Sequence, residues 1–168
     1  VYAKGGITPD TTVEFSIDGE LTKELLAKGI FFKYANNYFF NSPDADYSGI
    51  KDEKLFSEFT KYLTEEDFKY VSQTEIEIDN LIKGASDKEE IKDELLKIKD
   101  DLKGLFEKEM QIYKSEILRE IRSELAARYL GLEGRIEEQL NSDLQVQVAL
   151  DILSEMDTYN KLLNVAVR

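Results

Sequence analysis

Residues 86–130 read SDKEEIKDELLKIKDDLKGLFEKEMQIYKSEILREIRSELAARYL, a stretch with no proline and a single glycine, Gly104. Its apolar positions step by threes and fours: Ile91, Leu95, Ile98, Leu102 and Leu105, then Met110, Tyr113, Ile117, Ile121 and Leu125. That is the stripe of an amphipathic helix with near-heptad spacing, and Glu, Lys, Asp and Arg fill the intervals. Between Phe106 and Met110 the register slips by one residue. The slip follows Gly104, which costs a helix about 1 kcal/mol relative to alanine. The spacing predicts one long helix, bent at the slip or divided there into two abutting helices. A stripe of this length is not stable alone in water and has to be covered by other helices.

The chain on either side supplies that cover. From Glu20 to Phe40 the period is helical: Leu21, Leu25, Leu26, Phe31, Phe32, Ala35, Tyr38 and Phe39 make a broad apolar face, with Asp18 or Thr22 as cap and Gly29 weakening the middle. The aromatic cluster of Phe31, Phe32, Tyr34, Tyr38, Phe39 and Phe40 reads first as core packing and second as an interface. A helix from about Asp52 to Leu63 turns Leu55, Phe56, Phe59, Tyr62 and Leu63 inward. Thr64-Glu65-Glu66-Asp67 reads as the cap and acidic first turn of a successor. That successor carries Phe68, Val71, Ile76, Ile78, Leu81 and Ile82 to about Lys83, with a break near Ser72. Past the long helix, Gly131-Leu132-Glu133-Gly134 breaks the chain. A short helix from Arg135 to Leu140 follows, and Asn141-Ser142-Asp143 caps a last one to about Met156, with Val146, Ala149, Leu150 and Leu153 as its buried stripe. The tail 157–168 is expected to fray. The predicted fold class is mainly α: a multi-helix array around one long helix, about 86–130, with more than about 60 % helix against a general base rate of about one-third.

Composition bounds the chemistry. With 168 residues the chain can form one domain with a real core. Its formal net charge of −13 argues against nucleic acid and against anionic membrane surfaces, and no apolar run approaches the roughly 20 residues of a membrane span. There is no cysteine and no histidine. Disulfides, thiolate nucleophiles, Ser-His-Asp triads and His-bearing metal bundles are thereby excluded. Asp44, Asp46, Ser48 and Gly49 match the first half of a calcium loop, but Leu55 stands where the bidentate glutamate is required. We expect neither metal nor cofactor. The serines read as caps or surface residues, and the many carboxylates alternate with lysine as solvated helix faces do, with no pair raised above the others.

Residues 1–17 differ from all that follows. Val13, Phe15 and Ile17 alternate with Thr12, Glu14 and Ser16 as in a half-buried strand, after a loop punctuated by Gly5-Gly6 and Pro9-Asp10. Val1-Tyr2 reads as the end of an earlier strand. No later segment reads as a strand, and an isolated strand pair is marginal in water. The chain also starts at Val1 without an initiator methionine or a signal peptide. We therefore expect a piece of a longer protein, with one or two short strands left over from an upstream sheet.

The run Tyr2-Ala3-Lys4-Gly5-Gly6-Ile7-Thr8-Pro9-Asp10, followed by Val13-Glu14-Phe15, resembles the Gly-Gly-Ile-x-Pro-Asp segment that closes the catalytic core of carboxyl-terminal processing peptidases, the tail-specific serine proteases of the S41 family. Asp143-Leu144-Gln145-Val146-Gln147-Val148-Ala149-Leu150-Asp151-Ile152-Leu153 is similar to an ending found in some bacterial members. The resemblance implies a serine nucleophile with a lysine base, a pair that needs no histidine, lying upstream of this chain. It implies no catalytic residue here. Gly5, Gly6, Ile7, Pro9 and Asp10 would shape a strand-to-strand turn. On this reading residues 1–17 end the protease core and residues 18–168 form a non-catalytic helical C-terminal domain. The implied partners are its own upstream catalytic domain, a protein substrate and a second copy in a homo-oligomer. The implied location is the periplasm, cell envelope or exterior. The alternative is a stand-alone helical protein-interaction module unrelated to proteolysis.

Overall fold

A computed structural model of the chain describes residues 9–13, 19–85, 88–102 and 104–163. Among them lie nine helices: α1 (Glu20–Ala27), α2 (Ile30–Asn41), α3 (Asp52–Glu65), α4 (Gln73–Gly84), α5 (Glu89–Asp101), α6 (Leu105–Ile112), α7 (Lys114–Ser142), α8 (Leu144–Ser154) and α9 (Met156–Leu162). The fold is mainly α, with 78 % of the described residues helical. No strand occurs among the described residues, and Thr12 and Val13 are irregular. Residues 14–17 of the expected strand, and Val1-Tyr2, lie outside the described residues.

The stretch 86–130 is three helices. At Gly104 the backbone turns left-handed (φ 85°, ψ 7°) and separates α5 from α6; at Tyr113 (φ −96°, ψ 16°) it leaves helical geometry again before α7. The register slip after Gly104 has a physical cause: the two sides pack against different neighbours, and only the second is buried. α5 pairs with α4 in an outlying hairpin, tied by Lys99 Nζ to Asp79 Oδ1 at 2.5 Å. α6 and α7 turn Met110, Ile117, Leu118, Ile121 and Leu125 into the core. Ile98 is 49 % exposed as a result, and Leu102 only half-buried, so the N-terminal half of the stripe is not core as the spacing suggested.

That core is built from α1, α2, α3, α6 and the first part of α7, with α2 lying along α7 in the most extensive packing of any pair. All five residues expected to face inward from α3 do so. Phe59 is fully buried, stacked on Phe31 (5.4 Å, 13°) and edge-on to Tyr34 (5.1 Å, 84°). Aromatic pairs of this kind add about 0.5–1.5 kcal/mol beyond their buried area.

Thr64-Glu65-Glu66-Asp67 ends a helix instead of starting one. Asp67 is left-handed (φ 49°). Its N–H donates to the Thr64 carbonyl at 3.2 Å and that of Phe68 to the Leu63 carbonyl at 2.9 Å, the two bonds of a Schellman stop. Aspartate is one of the few residues that tolerate this conformation. α4 begins later, at the break expected near Ser72. The Ser72 hydroxyl accepts from the Glu75 N–H while the Glu75 carboxylate accepts from the Ser72 N–H, a reciprocal capping box.

The break at Gly131 is a reversal. α7 leaves helical geometry at this residue, where φ is 72° and ψ −158°, a region that only glycine occupies at low cost. The limb 132–142 then folds back along the limb 114–130. Arg135 pairs with Glu124 at 2.8 Å, and Gln139 Nε2 donates to Ser123 Oγ at 3.2 Å. Gly134 lets the limbs approach: a Cβ there would sit 2.4 Å from Leu130 Cβ and 3.1 Å from the Ala126 carbonyl oxygen. Asp143 then caps α8, accepting from the N–H groups of Gln145 (2.8 Å) and Val146 (3.2 Å), as its sequence position suggested.

Candidate docking surfaces

Of the family-like turn, Pro9 and Asp10 are exposed on the irregular segment 9–13, while Gly5, Gly6 and Ile7 lie outside the described residues. What the structure defines clearly is how the segment leading into α1 is fastened. Glu116, in the first turn of α7, accepts from the Gly19 N–H at 3.0 Å and from the Thr22 hydroxyl at 3.1 Å. Thr22 is fully buried. Nearby, the Tyr70 hydroxyl donates to Glu109 at 2.7 Å. Burial, then the Glu109 hydrogen bond, then the surrounding carboxylates hold the Tyr70 phenol well above its ordinary range. None of these pairings is visible in the sequence, since Gly19 and Glu116 are far apart along the chain and neither stands in a motif.

The half calcium loop folds on itself. Asp46 Oδ1 accepts from the Ser48 hydroxyl at 2.6 Å and from the Gly49 N–H at 3.2 Å. The Ser48 hydroxyl, then the Gly49 amide, pull the Asp46 carboxyl below its usual range. The loop packs through Tyr47, stacked on Tyr129 at 5.1 Å. Among the described residues no group of three or more acidic, histidine or cysteine side chains is disposed to hold a metal ion.

A groove of about 490 Å³ lies between the start of α3, the start of α7 and the end of its return limb, lined by residues including Asp52, Ser115, Arg119, Arg122, Glu138 and Ser142. Its charges are largely committed to the fold: Arg122 donates to Asp52 (3.1 Å) and to the Ile50 carbonyl (2.8 Å). Lys114, beside Ser115 in the chain, sits 3.8 Å from Glu53 and 5.3 Å from the centre of the Phe56 ring, contacts that tie α7 to α3.

The aromatic cluster of α2 divides. Phe31 and Tyr34 are core, whereas Phe32 is half exposed and Phe40 is 86 % exposed. The Arg128 guanidinium lies 4.2 Å from the centre of the Phe32 ring. A run of exposed apolar side chains lies on the return limb of α7 and on α8 and α9. Leu132 is 72 % exposed, Ile136 and Leu140 are also exposed, and neither α8 nor α9 has a buried residue. Val146 and Val148 are half-buried, while Ala149, Leu150 and Leu153 are exposed, so the expected buried stripe of α8 is an open one.

These features define a mainly α domain whose core lies among α1, α2, α3, α6 and the first part of α7, and whose helices α8 and α9 contribute no buried residue. The family described as probable PDZ-protease, C-terminal helical domain, matches residues 21–153, and the chain belongs to that family. No curated protein and no solved structure matches the chain. No helix among the described residues is long and apolar enough to cross a membrane.

Proposed function

We propose that this chain is the non-catalytic C-terminal domain of a serine-type processing peptidase that acts on protein C-termini. Its nucleophile and lysine base would lie upstream, and the domain would pack on the catalytic core and shape substrate access. The observation that carries this reading is the family match over residues 21–153, and the pin at Glu116 gives the structural handle on which to test it. Its carboxylate grips both the Gly19 backbone and the buried Thr22, so the chain enters α1 at a fixed point against the start of α7. The Gly-Gly-Ile-x-Pro-Asp resemblance supports the same assignment, and with it a location in the periplasm, cell envelope or exterior.

The test uses the longer protein and a peptide substrate with an apolar C-terminus. Glu116→Ala is expected to lower cleavage several-fold while leaving the chemistry of a small activated ester unchanged. Equal loss on both substrates would mean that the helical domain supports the catalytic fold itself, not access. The 168-residue chain alone should not cleave the peptide. Cleavage abolished by one serine-to-alanine change within it would end the non-catalytic reading.

A further inference from the structure

On the return limb of α7, Leu132, Ile136 and Leu140 form one row at four-residue spacing, and Glu133, Glu137 and Asn141 form the row beside it. Together they line an open groove of about 760 Å³. Parallel rows at i, i+4, i+8 are the ridges between which the side-chain ridge of a second helix seats. The apolar row spans a little over two helical turns, about 12 Å, enough to register a partner helix by three contacts.

We propose that this face docks an amphipathic helix of basic character from another polypeptide, its apolar ridge against Leu132, Ile136 and Leu140 and its lysine or arginine flank against Glu133 and Glu137. Charge fixes the occupant. Glu133 and Glu137 have no ion-pair partner among the described residues, whereas the one arginine of this limb, Arg135, is already paired with Glu124. Residues 131–163 carry seven acidic and two basic side chains, 2 − 7 = −5. A second copy would bring its own glutamate row against this one, and like charges so placed repel. A basic helix meets the apolar row and neutralises the acidic one, as flanking charges select partners in paired helices. An extended segment would gain less, because no sheet edge is offered among the described residues.

The proposal does not rest on the peptidase reading, because its test reads binding to the 168-residue chain and no proteolysis. Two designed helical peptides serve as probes. Both have leucines at i, i+4 and i+8; one carries lysines on the flank and the other glutamates. The lysine peptide is expected to bind, and the double variant Glu133→Lys/Glu137→Lys should weaken it about fivefold at low salt and improve the glutamate peptide. A control at equal charge, Glu89→Lys/Glu90→Lys on exposed α5, should leave both affinities unchanged. Ile136→Asp should abolish binding with the helical circular dichroism intact; should it unfold the chain, the charge-reversal variants still decide. Equal weakening by the control would reveal general attraction to an acidic protein and overturn the proposal. So would binding by neither peptide, or dimerisation of the chain through Ile136 with no peptide bound.

Discussion

The first half of α7 and its return limb make a direct comparison, since they are neighbours in sequence and lie side by side. The limb 114–130 buries Ile117, Leu118, Ile121, Leu125 and Ala126 against α2, α3 and α6. The limb 132–142 has Leu132, Ile136 and Leu140 at equally regular spacing, and all three are exposed. Regular apolar spacing specifies a helix and one sticky face. Whether that face is core depends on how many other elements can reach it. The outgoing limb is surrounded, while the return limb packs along its twin and meets α8 at its end through Gln147, leaving its apolar row uncovered.

The largest expected effect lies on the surrounded side. Phe59→Ala removes a ring in contact with Phe31 and Tyr34 and should cost about 3–5 kcal/mol in denaturant unfolding. Leu140→Ala, on the other limb, should cost less than about 0.5 kcal/mol. If the two losses were similar, the return limb would be part of the core and the comparison would collapse. Gly134→Ala tests the seam between the limbs. The added methyl meets Leu130 and the Ala126 carbonyl, so a loss of about 1–3 kcal/mol is expected. No loss in thermal unfolding would mean that the limbs separate freely in solution. Glu116→Gln keeps the shape of the side chain but weakens two hydrogen bonds to the start of α1. About 1 kcal/mol should go, together with hydrogen-exchange protection of the Gly19 amide.

The smallest effect at neutral pH is that of Tyr34→Phe. The Tyr34 hydroxyl is buried with no hydrogen-bond partner among the described residues, so its removal should be near neutral or slightly stabilising. The difference emerges in alkali. Burial, and secondarily Glu58, raise the Tyr34 phenol above its ordinary 10.0. Because the folded value is the higher, the unfolded chain ionises first. The stability from the neutral phenol is complete below pH 10 and declines as the pH climbs past it. Tyr34→Phe should flatten that decline, and Tyr70→Phe should do so too. Stability followed by urea unfolding from pH 8 to about 11 checks both; an unchanged slope in Tyr34→Phe would show that its burial does not govern the titration.

Much of this was legible in the sequence where local rules act. The inward residues of α3, the Asp143 cap and the glycine-flanked break after Leu130 all depend on residues a few positions apart. So does the mainly helical class. The division of the stretch 86–130 into three helices was not legible in detail, because Ile91 to Leu102 and Met110 to Leu125 have the same period whether they face one core or two different neighbours. Only the slip after Gly104 hinted at the division. Thr64-Glu65-Glu66-Asp67 has the composition of a helix start, yet the left-handed Asp67 makes it a stop, with a backbone angle that composition does not encode. The Glu116 pin was beyond reach for another reason: it joins residues whose proximity exists only once the core has formed.

The reversal at Gly131 has one more consequence. By running back, the return limb brings Ser142 level with Ser115, in the same groove, while Glu116 holds Gly19 at that same end of α7. A partner that grips the domain beside the start of α1 is thus tethered close to the Leu140 end of the open stripe. A short tether of this kind supplies an effective concentration of about a millimolar. The basic helix of such a partner would occupy the stripe even with weak intrinsic affinity, and a competing helix from solution would have to displace a neighbour that never diffuses away.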